Sequence, residues 1–273
     1  MRVKNHRLID ADGQPCRYEA SPNRSGVIAP DCLVMHFTAG SSAESSVQHF
    51  LRKEAQASAH LVIGRDGAIT QMVPFNRKAW HAGRSRWHQR TGLNGYSIGI
   101  ELDNAGRLSG GPGRWRSWFG RIYADEDVLV ATHRLDSDPA GWHRYTEAQL
   151  DAAVRVGQAL VAAYGLKEVL GHDDIAPDRK RDAGPAFPMR EYRAALLGRG
   201  DAEEEEFLTR AALNLRTGPG TDHEKLPESP LARGTRLRLK QRAGVWCDVE
   251  VLDAGGEPVA TGWVHGHYIA QVG

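Results

Sequence analysis

Cysteine, long apolar runs and an excess of charge of either sign are what this 273-residue chain lacks. Its three cysteines, Cys16, Cys32 and Cys247, are far apart and form no C-x-x-C pair, which argues against a disulfide framework and against a zinc site made of cysteines. No stretch approaches the roughly 20 apolar residues of a membrane helix, so we predict no membrane span. Because the formal net charge is only +1, electrostatics give no reason to expect binding to nucleic acid or to an anionic membrane.

The rest of the composition, with 41% hydrophobic and 25% charged residues, is that of a soluble globular protein. The length suggests one large domain or two smaller ones. The run GRGDAEEEE at 198–206 is charged, has no apolar periodicity and is typical of a solvated linker. We therefore predict a first domain at 1–197, an acidic linker at 198–206 and a small β-rich domain at 207–273.

The segment GHDDIAPDRKRDAGPAF at 171–187 concentrates one histidine, four aspartates and a lysine between proline and glycine breakers. Such punctuation indicates a loop. Imidazole and carboxylate groups are zinc ligands, so His172 and Asp182 are candidates for a metal site. Lys180 lies two residues before Asp182, and an extended backbone would point both side chains the same way. A solvated polar loop is the alternative, and the residues alone do not decide between the two.

Two strand-like segments carry unexpected polar residues. The apolar run Cys32–Phe37 suits a buried strand but contains His36, which is either a site residue or a hydrogen-bonded core histidine. In Ser97–Leu102 apolar residues alternate with Gly99 and Glu101, so the strand has one apolar face. A carboxylate there is costly unless it is used, although an exposed edge strand would make Glu101 ordinary.

The 171–187 segment resembles the C-terminal signature of zinc-dependent N-acetylmuramoyl-L-alanine amidases of type 2, which share their fold with peptidoglycan-recognition proteins. Within that family the likeness is greatest to the muropeptide-recycling branch. One departure is Ala183, where the family usually has proline. We expect it to have a small effect on loop stiffness.

The resemblance implies a role for each candidate. His36, in the run VMHFTAG, would bind Zn²⁺ together with His172 and Asp182. Lys180 would assist catalysis. Glu101, in the run SIGIEL, would be the general base. These roles follow from the resemblance and not from spacing.

The segment PFNRKAWHAG at 74–83 resembles the family's substrate cleft. We therefore expect Trp80 and His81 to bind substrate, although Trp80 could instead be core and His81 could lie at the surface. Asn94, further along the chain, is the third residue that we expect to bind substrate. His60 also recurs in the family, and we interpret it as support for the site rather than as a ligand.

Residues 103–145 are rich in glycine, arginine and tryptophan and are longer than compact family members need. Aromatic residues among arginines can stack on sugar faces or simply pack a loop down, and the sequence does not separate these alternatives.

The predicted fold class is α/β, a mixed sheet flanked by helices, followed by a small all-β barrel. Segments 212–220 and 261–269 resemble bacterial SH3-type domains. Residues 1–30 are expected to be irregular. Ser41 with Glu44 and Thr146 with Gln149 are predicted capping boxes. The second helix should end at Gly165, and its predicted buried stripe is Leu150, Val154, Val161 and Tyr164.

The resemblance implies a hydrolase that cleaves the amide bond between N-acetylmuramic acid and L-alanine in peptidoglycan or its muropeptide fragments. We expect a monomer. We also expect a cytoplasmic location, since the first residues contain no apolar stretch of the kind found in signal peptides. Export by a non-classical route, as a lysin or effector, is the alternative location. The rival functions are a non-catalytic peptidoglycan-binding protein and a zinc peptidase acting within the stem peptide.

Overall fold

The computed structural model describes residues 1–197, 206–243 and 245–272. Its contacts divide the chain into two compact units, Met1–Arg199 and Gly200–Gly273. Residues 198–205 of the predicted linker lie outside the described residues. Glu206, its last predicted residue, already belongs to a strand. None of the described helices is long and apolar enough to cross a membrane.

The first unit contains four α-helices and seventeen strands among its described residues. The helices are α1 Ala43–Leu51, α2 Glu147–Tyr164, α3 His172–Ile175 and α4 Met189–Leu197. The strands are β1 Arg2–Lys4, β2 Arg7–Ile9, β3 Arg17–Tyr18, β4 Arg24–Val27, β5 Cys32–Phe37, β6 Leu61–Ile63, β7 Ile69–Gln71, β8 Arg77–Ala79, β9 Arg86–Trp87, β10 Arg90–Thr91, β11 Ser97–Leu102, β12 Arg107–Leu108, β13 Trp115–Arg116, β14 Ile122–Tyr123, β15 Val128–Thr132, β16 Pro139–His143 and β17 Glu168–Gly171.

A six-stranded mixed sheet of order β17-β5-β11-β6-β7-β3 forms the centre of this unit. Strands β17, β5, β11 and β6 run parallel, while β6 and β7 form the antiparallel hairpin that Asp66-Gly67 predicts. The apolar side chains of β11 alternate as expected, and Ile98, Ile100 and Leu102 pack in the main core. Those of β5 are buried on both faces, with Met35 in the main core and Val34 in a separate cluster. The predicted mixed α/β architecture is confirmed.

Helix α2 covers one face of the sheet and is capped at both ends as predicted. The Thr146 hydroxyl accepts the Gln149 N–H in a complete capping box, and Gly165 ends the helix in the left-handed conformation. The predicted buried stripe was wrong by about one position, because its four residues only border the core. The buried positions are instead Gln149, Ala152, Ala153, Val156, Gly157, Ala159 and Leu160. Small residues let the helix lie close to the sheet, a choice that a search for large apolar residues overlooks.

Two further expectations about local structure were wrong. The N-cap of α1 is Ser42, which forms its capping box with Ser45. The predicted partner Glu44 instead forms an ion pair with Arg17 at 2.8 Å. Residues 1–30 are not irregular throughout, since they contain β1 to β4.

Residues 103–145 form a small substructure of their own. Strands β12, β16 and β15 make an antiparallel sheet, and β13 and β14 pair beside it. Trp115 is buried there with Leu108, Tyr123 and Val128. One of the tryptophans of this insertion therefore packs the loop down.

The second unit is a five-stranded antiparallel sheet of order β21-β20-β19-β18-β22. Its strands are β18 Glu206–Thr209, β19 Arg236–Ala243, β20 Trp246–Leu252, β21 Pro258–His265 and β22 Ile269–Gln271. A buried cluster that includes Leu215, Leu237, Val249 and Val264 forms its own core.

Candidate metal and catalytic site

Parallel strands β5 and β11 bring the first two site residues together. Their register places His36 directly opposite Glu101, so both side chains leave the same face of the sheet near the carboxyl ends of the strands. Strand β17, on the other side of β5, ends at Gly171, and His172 begins α3. The sheet topology thus places two histidines and a glutamate at one edge.

Three side-chain atoms converge at this edge. The Nδ1 atoms of His36 and His172 are 2.9 Å apart, and Oδ2 of Asp182 lies 2.9 Å from each. All three side chains are buried. These three residues are a group that could hold a metal ion.

A chain of hydrogen bonds behind His36 fixes which of its two ring nitrogens carries the hydrogen. The Ser97 hydroxyl donates its single hydrogen to the Leu93 carbonyl at 2.7 Å, so Ser97 Oγ accepts from His81 Nε2 at 3.2 Å. His81 Nδ1, 3.0 Å from His36 Nε2, then accepts a hydrogen from His36. Because a neutral imidazole carries one N–H, this order leaves a lone pair on His36 Nδ1.

His172 is oriented in the same sense. Its Nε2 lies 3.2 Å from the Ala82 carbonyl oxygen, and a carbonyl can only accept, so the hydrogen is on Nε2. In the neutral ring the lone pair is again on Nδ1. Metal-binding histidines typically donate their other N–H to such a partner.

The charges also favour a cation. Burial opposes ionisation of the Asp182 carboxyl, but its contacts with His172 and His36 outweigh burial and hold its pKa well below the usual range. Burial, followed by the proximity of His172, lowers the pKa of His36 to about 4. Two imidazole lone pairs and one carboxylate oxygen therefore point at one another, and a metal cation satisfies all three. Two histidines and one acidic ligand form a donor set typical of catalytic zinc sites, which keep a further position open.

Glu101 and Lys180 line the same cavity as His172 and Asp182, a space of about 530 Å³. Burial, reinforced by the charge of Asp182, raises the pKa of Glu101 to about 8, and Lys180 acts in the opposite direction. Among the described residues, Glu101 Oε2 is buried with no hydrogen-bond partner. When ionised, this carboxyl group can accept a proton from a group that enters the cavity, and its raised pKa makes it a stronger base than an ordinary glutamate.

The three predicted substrate-binding residues are placed differently from one another. Trp80 and His81 line the cavity. His81 also contacts His36, so it belongs to the support of the metal group. Asn94 is not among the lining residues; its Oδ1 accepts the backbone N–H groups of His81 and Ala82 at 3.0 and 2.7 Å and so positions the segment that carries His81.

His60 lies beside His81, with the ring centroids 5.8 Å apart, and its support of the site stays a prediction. Its Nε2 donates to the Arg77 carbonyl at 2.9 Å, and its Nδ1 accepts the Gly99 N–H at 3.0 Å. The ring is fully buried and contributes no atom to the metal group.

Sequence reasoning missed three supporting residues. Ser97 links His81 to the Leu93 carbonyl in the hydrogen-bond chain described above. Tyr145 donates to the Ala183 carbonyl at 2.8 Å, next to Asp182. Arg179 Nη2 donates to the Ala82 carbonyl at 2.6 Å. Only Arg179 was detectable in principle, since it lies in the 171–187 segment; the other two depend on contacts between distant parts of the chain.

Comparison with known proteins connects this chain with a family of amidases. Residues 26–185 match the family described as N-acetylmuramoyl-L-alanine amidase. The chain is 36% identical over 143 residues to the 1,6-anhydro-N-acetylmuramyl-L-alanine amidase AmpD of Escherichia coli, covering 52% of this chain and 59% of that protein. It therefore spans about three fifths of the length of this relative. It is 37% identical over 185 residues to N-acetylmuramoyl-L-alanine amidase A of Achromobacter lyticus, covering 67% of this chain and 89% of that protein.

A solved structure, the complex of AmiD from E. coli with the substrate anhydro-N-acetylmuramic acid-L-Ala-D-gamma-Glu-L-Lys, has a TM-score of 0.49 and 29% sequence identity over 72% of this chain and 68% of that chain. The family match extends over more than half of the chain. The chain is a member of the N-acetylmuramoyl-L-alanine amidase family.

Proposed function

We propose that the protein hydrolyses the amide bond between the lactyl group of N-acetylmuramic acid and L-alanine in muropeptides. The observation that carries the proposal is the convergence of the His36, His172 and Asp182 ligand atoms beside the unpartnered carboxylate oxygen of Glu101. Zinc held by these three residues would act as a Lewis acid and would lower the pKa of a bound water. The name of the E. coli relative supports an anhydro-muropeptide as the first substrate to test.

In this proposal Glu101 moves the proton. It accepts a proton from the attacking water as the new C–O bond forms, and it returns that proton to the alanine nitrogen as the C–N bond breaks. The products are a muramoyl carboxylic acid and a peptide with a free amino terminus. The raised pKa of Glu101 suits the second step, because the group must hold the proton before donating it.

Lys180 stabilises the charge that develops on the carbonyl oxygen. It lines the cavity together with Glu101 and Asp182, so its ammonium group is available to a substrate in that space. One such donor to an oxyanion typically contributes about 3 kcal/mol to transition-state stabilisation.

Product analysis tests the proposed reaction. The purified protein should convert anhydro-muropeptide into two species whose masses correspond to free anhydro-N-acetylmuramic acid and the intact peptide. Asp182→Ala should lose both bound zinc and activity. Asp178→Ala is the matched control, since Asp178 lies in the same loop but pairs with Arg84 at the surface.

Other products would contradict the proposal. Masses that show cleavage within the peptide would indicate a peptidase. Binding of muropeptide by a fully zinc-loaded protein that cleaves nothing would indicate a recognition protein. Full zinc content in Asp182→Ala would remove this residue from the metal site.

For the second unit we propose an SH3-type barrel that holds the enzyme near polymeric cell wall. The support is its five antiparallel strands with a separate core. A chain ending at residue 199 should keep its activity on small muropeptides, while its activity on intact sacculi and its co-sedimentation with them should fall. Loss of small-substrate activity, or a much lower Tm, would show that the unit stabilises the first one instead.

The cytoplasmic location and the monomeric state are also proposals. Cell fractionation tests the first, and recovery only outside the cytoplasm would favour export as a lysin or effector. Sedimentation equilibrium tests the second.

A further inference from the structure

Trp118 stands out in the insertion because it is large, exposed and yet fixed. Its side chain is 77% exposed, while its Nε1–H donates to the Ala39 carbonyl at 2.6 Å. Ala39 follows strand β5, which carries His36. The hydrogen bond therefore ties an open indole face to the rim of the candidate site, and Trp118 lines the 530 Å³ cavity that contains Glu101.

A second cavity continues from the same side chain. It measures about 510 Å³ and is lined by Trp118, by Arg107 and Arg116, and by the exposed Val130. Since Trp118 lines both cavities, they border each other at this side chain, and we call the pair the groove. Trp118 and Val130 thus present exposed apolar side chains at a cavity that also contains two guanidinium groups.

Two tryptophans line the second cavity, Trp115 and Trp118, and they differ in burial. Trp115 is 6% exposed and packs against Leu108 and Val128, so it holds the insertion together. Trp118 makes no comparable contribution to that core. Its exposure costs hydrophobic free energy in the unbound protein, which is the pattern expected of an aromatic residue kept open for a ligand.

The charge of the second cavity narrows the class of ligand. Among the described residues, those lining it include two arginines and no acidic side chain. Guanidinium groups donate hydrogen bonds and cannot accept them. A sugar with acetamido and hydroxyl oxygens offers acceptors to these groups, and its C–H face can cover the electron-rich face of an indole ring.

We infer that the insertion carries a saccharide subsite in which Trp118 stacks on the sugar linked to the muramoyl unit and Arg116 donates to its oxygens. This inference rests on the proposed function, because the muramoyl unit defines where the neighbouring sugar begins. The subsite makes the enzyme select substrates by glycan length. The stem peptide is the other part of the substrate that could follow this groove, and the test separates the two.

The kinetic test compares substrates that differ either in the number of sugars or in the length of the peptide. The substrates are muramoyl-dipeptide, the same compound extended by one N-acetylglucosamine, and muramoyl-tetrapeptide. In Trp118→Ala the ratio of kcat/KM for the disaccharide to that for the monosaccharide should fall about tenfold, the size of effect that truncating an aromatic anchor commonly has. Trp118→Tyr should restore most of the ratio.

Ile122→Ala is the matched control. Ile122 is 62% exposed on the same insertion, pairs with Arg116 across β13 and β14, and lines neither cavity. Its ratio should equal that of the unchanged protein. A ratio unaffected by Trp118→Ala, or one lowered equally by Ile122→Ala, would overturn the inference. A change that follows peptide length instead would assign the groove to the stem peptide.

A binding measurement separates this inference from the proposed function. The full-length protein, stripped of metal with a chelator, is titrated calorimetrically with the peptide-free tetrasaccharide of alternating N-acetylglucosamine and N-acetylmuramic acid. Binding that Trp118→Ala weakens about tenfold and Ile122→Ala leaves unchanged supports the subsite even if no substrate is cleaved. Absence of binding, or equal binding by all three proteins, refutes the subsite even if the amidase is fully active.

Discussion

Replacing Ser97 with alanine removes one hydroxyl that lies two hydrogen bonds away from His36 Nδ1. Ser97 is fully buried in β11, and its hydroxyl sets the direction of the chain from Leu93 through His81 to His36. Without it, His81 Nε2 has no acceptor. If the hydrogen of His81 moved to its Nδ1, it would point at the N–H of His36 Nε2. To avoid that contact, His36 would have to move its own hydrogen to its Nδ1, the nitrogen whose lone pair faces the metal group.

The expected loss of zinc affinity follows from this hydrogen-bond chain. A buried N–H left without a partner costs about 1–3 kcal/mol, and this cost either destabilises the fold or is relieved by changing the tautomer of His36. Loss of a residue that orients a metal-binding histidine typically lowers metal affinity about 10–100-fold. We therefore expect Ser97→Ala to weaken zinc binding by about this factor although Ser97 does not touch the metal group.

The assay is competition for zinc against a chelator, with urea unfolding of the metal-free protein measured in parallel. Nitrogen NMR shifts of the His36 ring report its tautomer directly. Ser58→Ala is the matched control. Ser58 is also a buried serine that donates to a backbone carbonyl, that of Asn23, and accepts one N–H, that of Trp80, but its hydroxyl makes no hydrogen bond to the His81 ring and so does not influence the tautomer of His36.

Both variants should lose a similar amount of stability, and only Ser97→Ala should lose zinc affinity. Equal zinc affinity in Ser97→Ala and in the unchanged protein would refute the tautomer chain. So would equal losses of affinity in both variants, since that would trace the effect to general loosening.

Three further predictions follow from the same region. Gly99→Ala would place a methyl carbon 2.4 Å from Cγ of His81, so zinc affinity should fall about tenfold or more. Gly26→Ala is the control, because its methyl carbon meets no atom within 4 Å and zinc binding should be normal. Equal zinc affinity in both variants would show that displacing His81 does not affect the metal group. Glu101→Gln should keep its zinc while kcat falls about 10²-fold or more and the rise of rate with pH on ionisation of Glu101 disappears; normal turnover would place the base elsewhere. Burial lowers the pKa of His60 to about 4, so the folded state binds fewer protons than the unfolded state between about pH 6.5 and 4, and stability falls as the pH drops through that window. Between pH 7 and pH 5 this group lowers the free energy of unfolding by about 2 kcal/mol. Urea unfolding should show that His60→Gln lacks this part of the pH dependence. An identical pH dependence in the variant would show that His60 is not its source.

Much of the site could be predicted because local pattern and motif agree. Alternation in Ser97–Leu102 places Glu101 opposite the apolar face, and the strand at Cys32–Phe37 places His36 near a carboxyl end. The resemblance of the 171–187 segment then joined His172 and Asp182 to them. The structure brings the predicted ligand atoms within hydrogen-bonding distance, although their roles stay predictions until metal and activity are measured.

Other features depend on which distant segments meet. The same sequence pattern contains Trp115 and Trp118, yet one is buried in a small core and the other is open on a groove. His81 and Asn94 looked alike as cleft residues, but His81 contacts His36 while Asn94 binds backbone N–H groups. Their neighbours come from other strands, and sequence periodicity carries no information on them.

By itself the sequence determined the strand and helix periods, the caps at Thr146 and Gly165, and the residue types able to bind a metal, since these depend on neighbours a few positions away. Only the tertiary structure decided the direction of the hydrogen bonds from Leu93 to His36. Hydrogen bonds are directional, and a donor selects its acceptor by position in space. That position is set here by the parallel pairing of β5 and β11 and by the segment that carries His81, which no local pattern specifies.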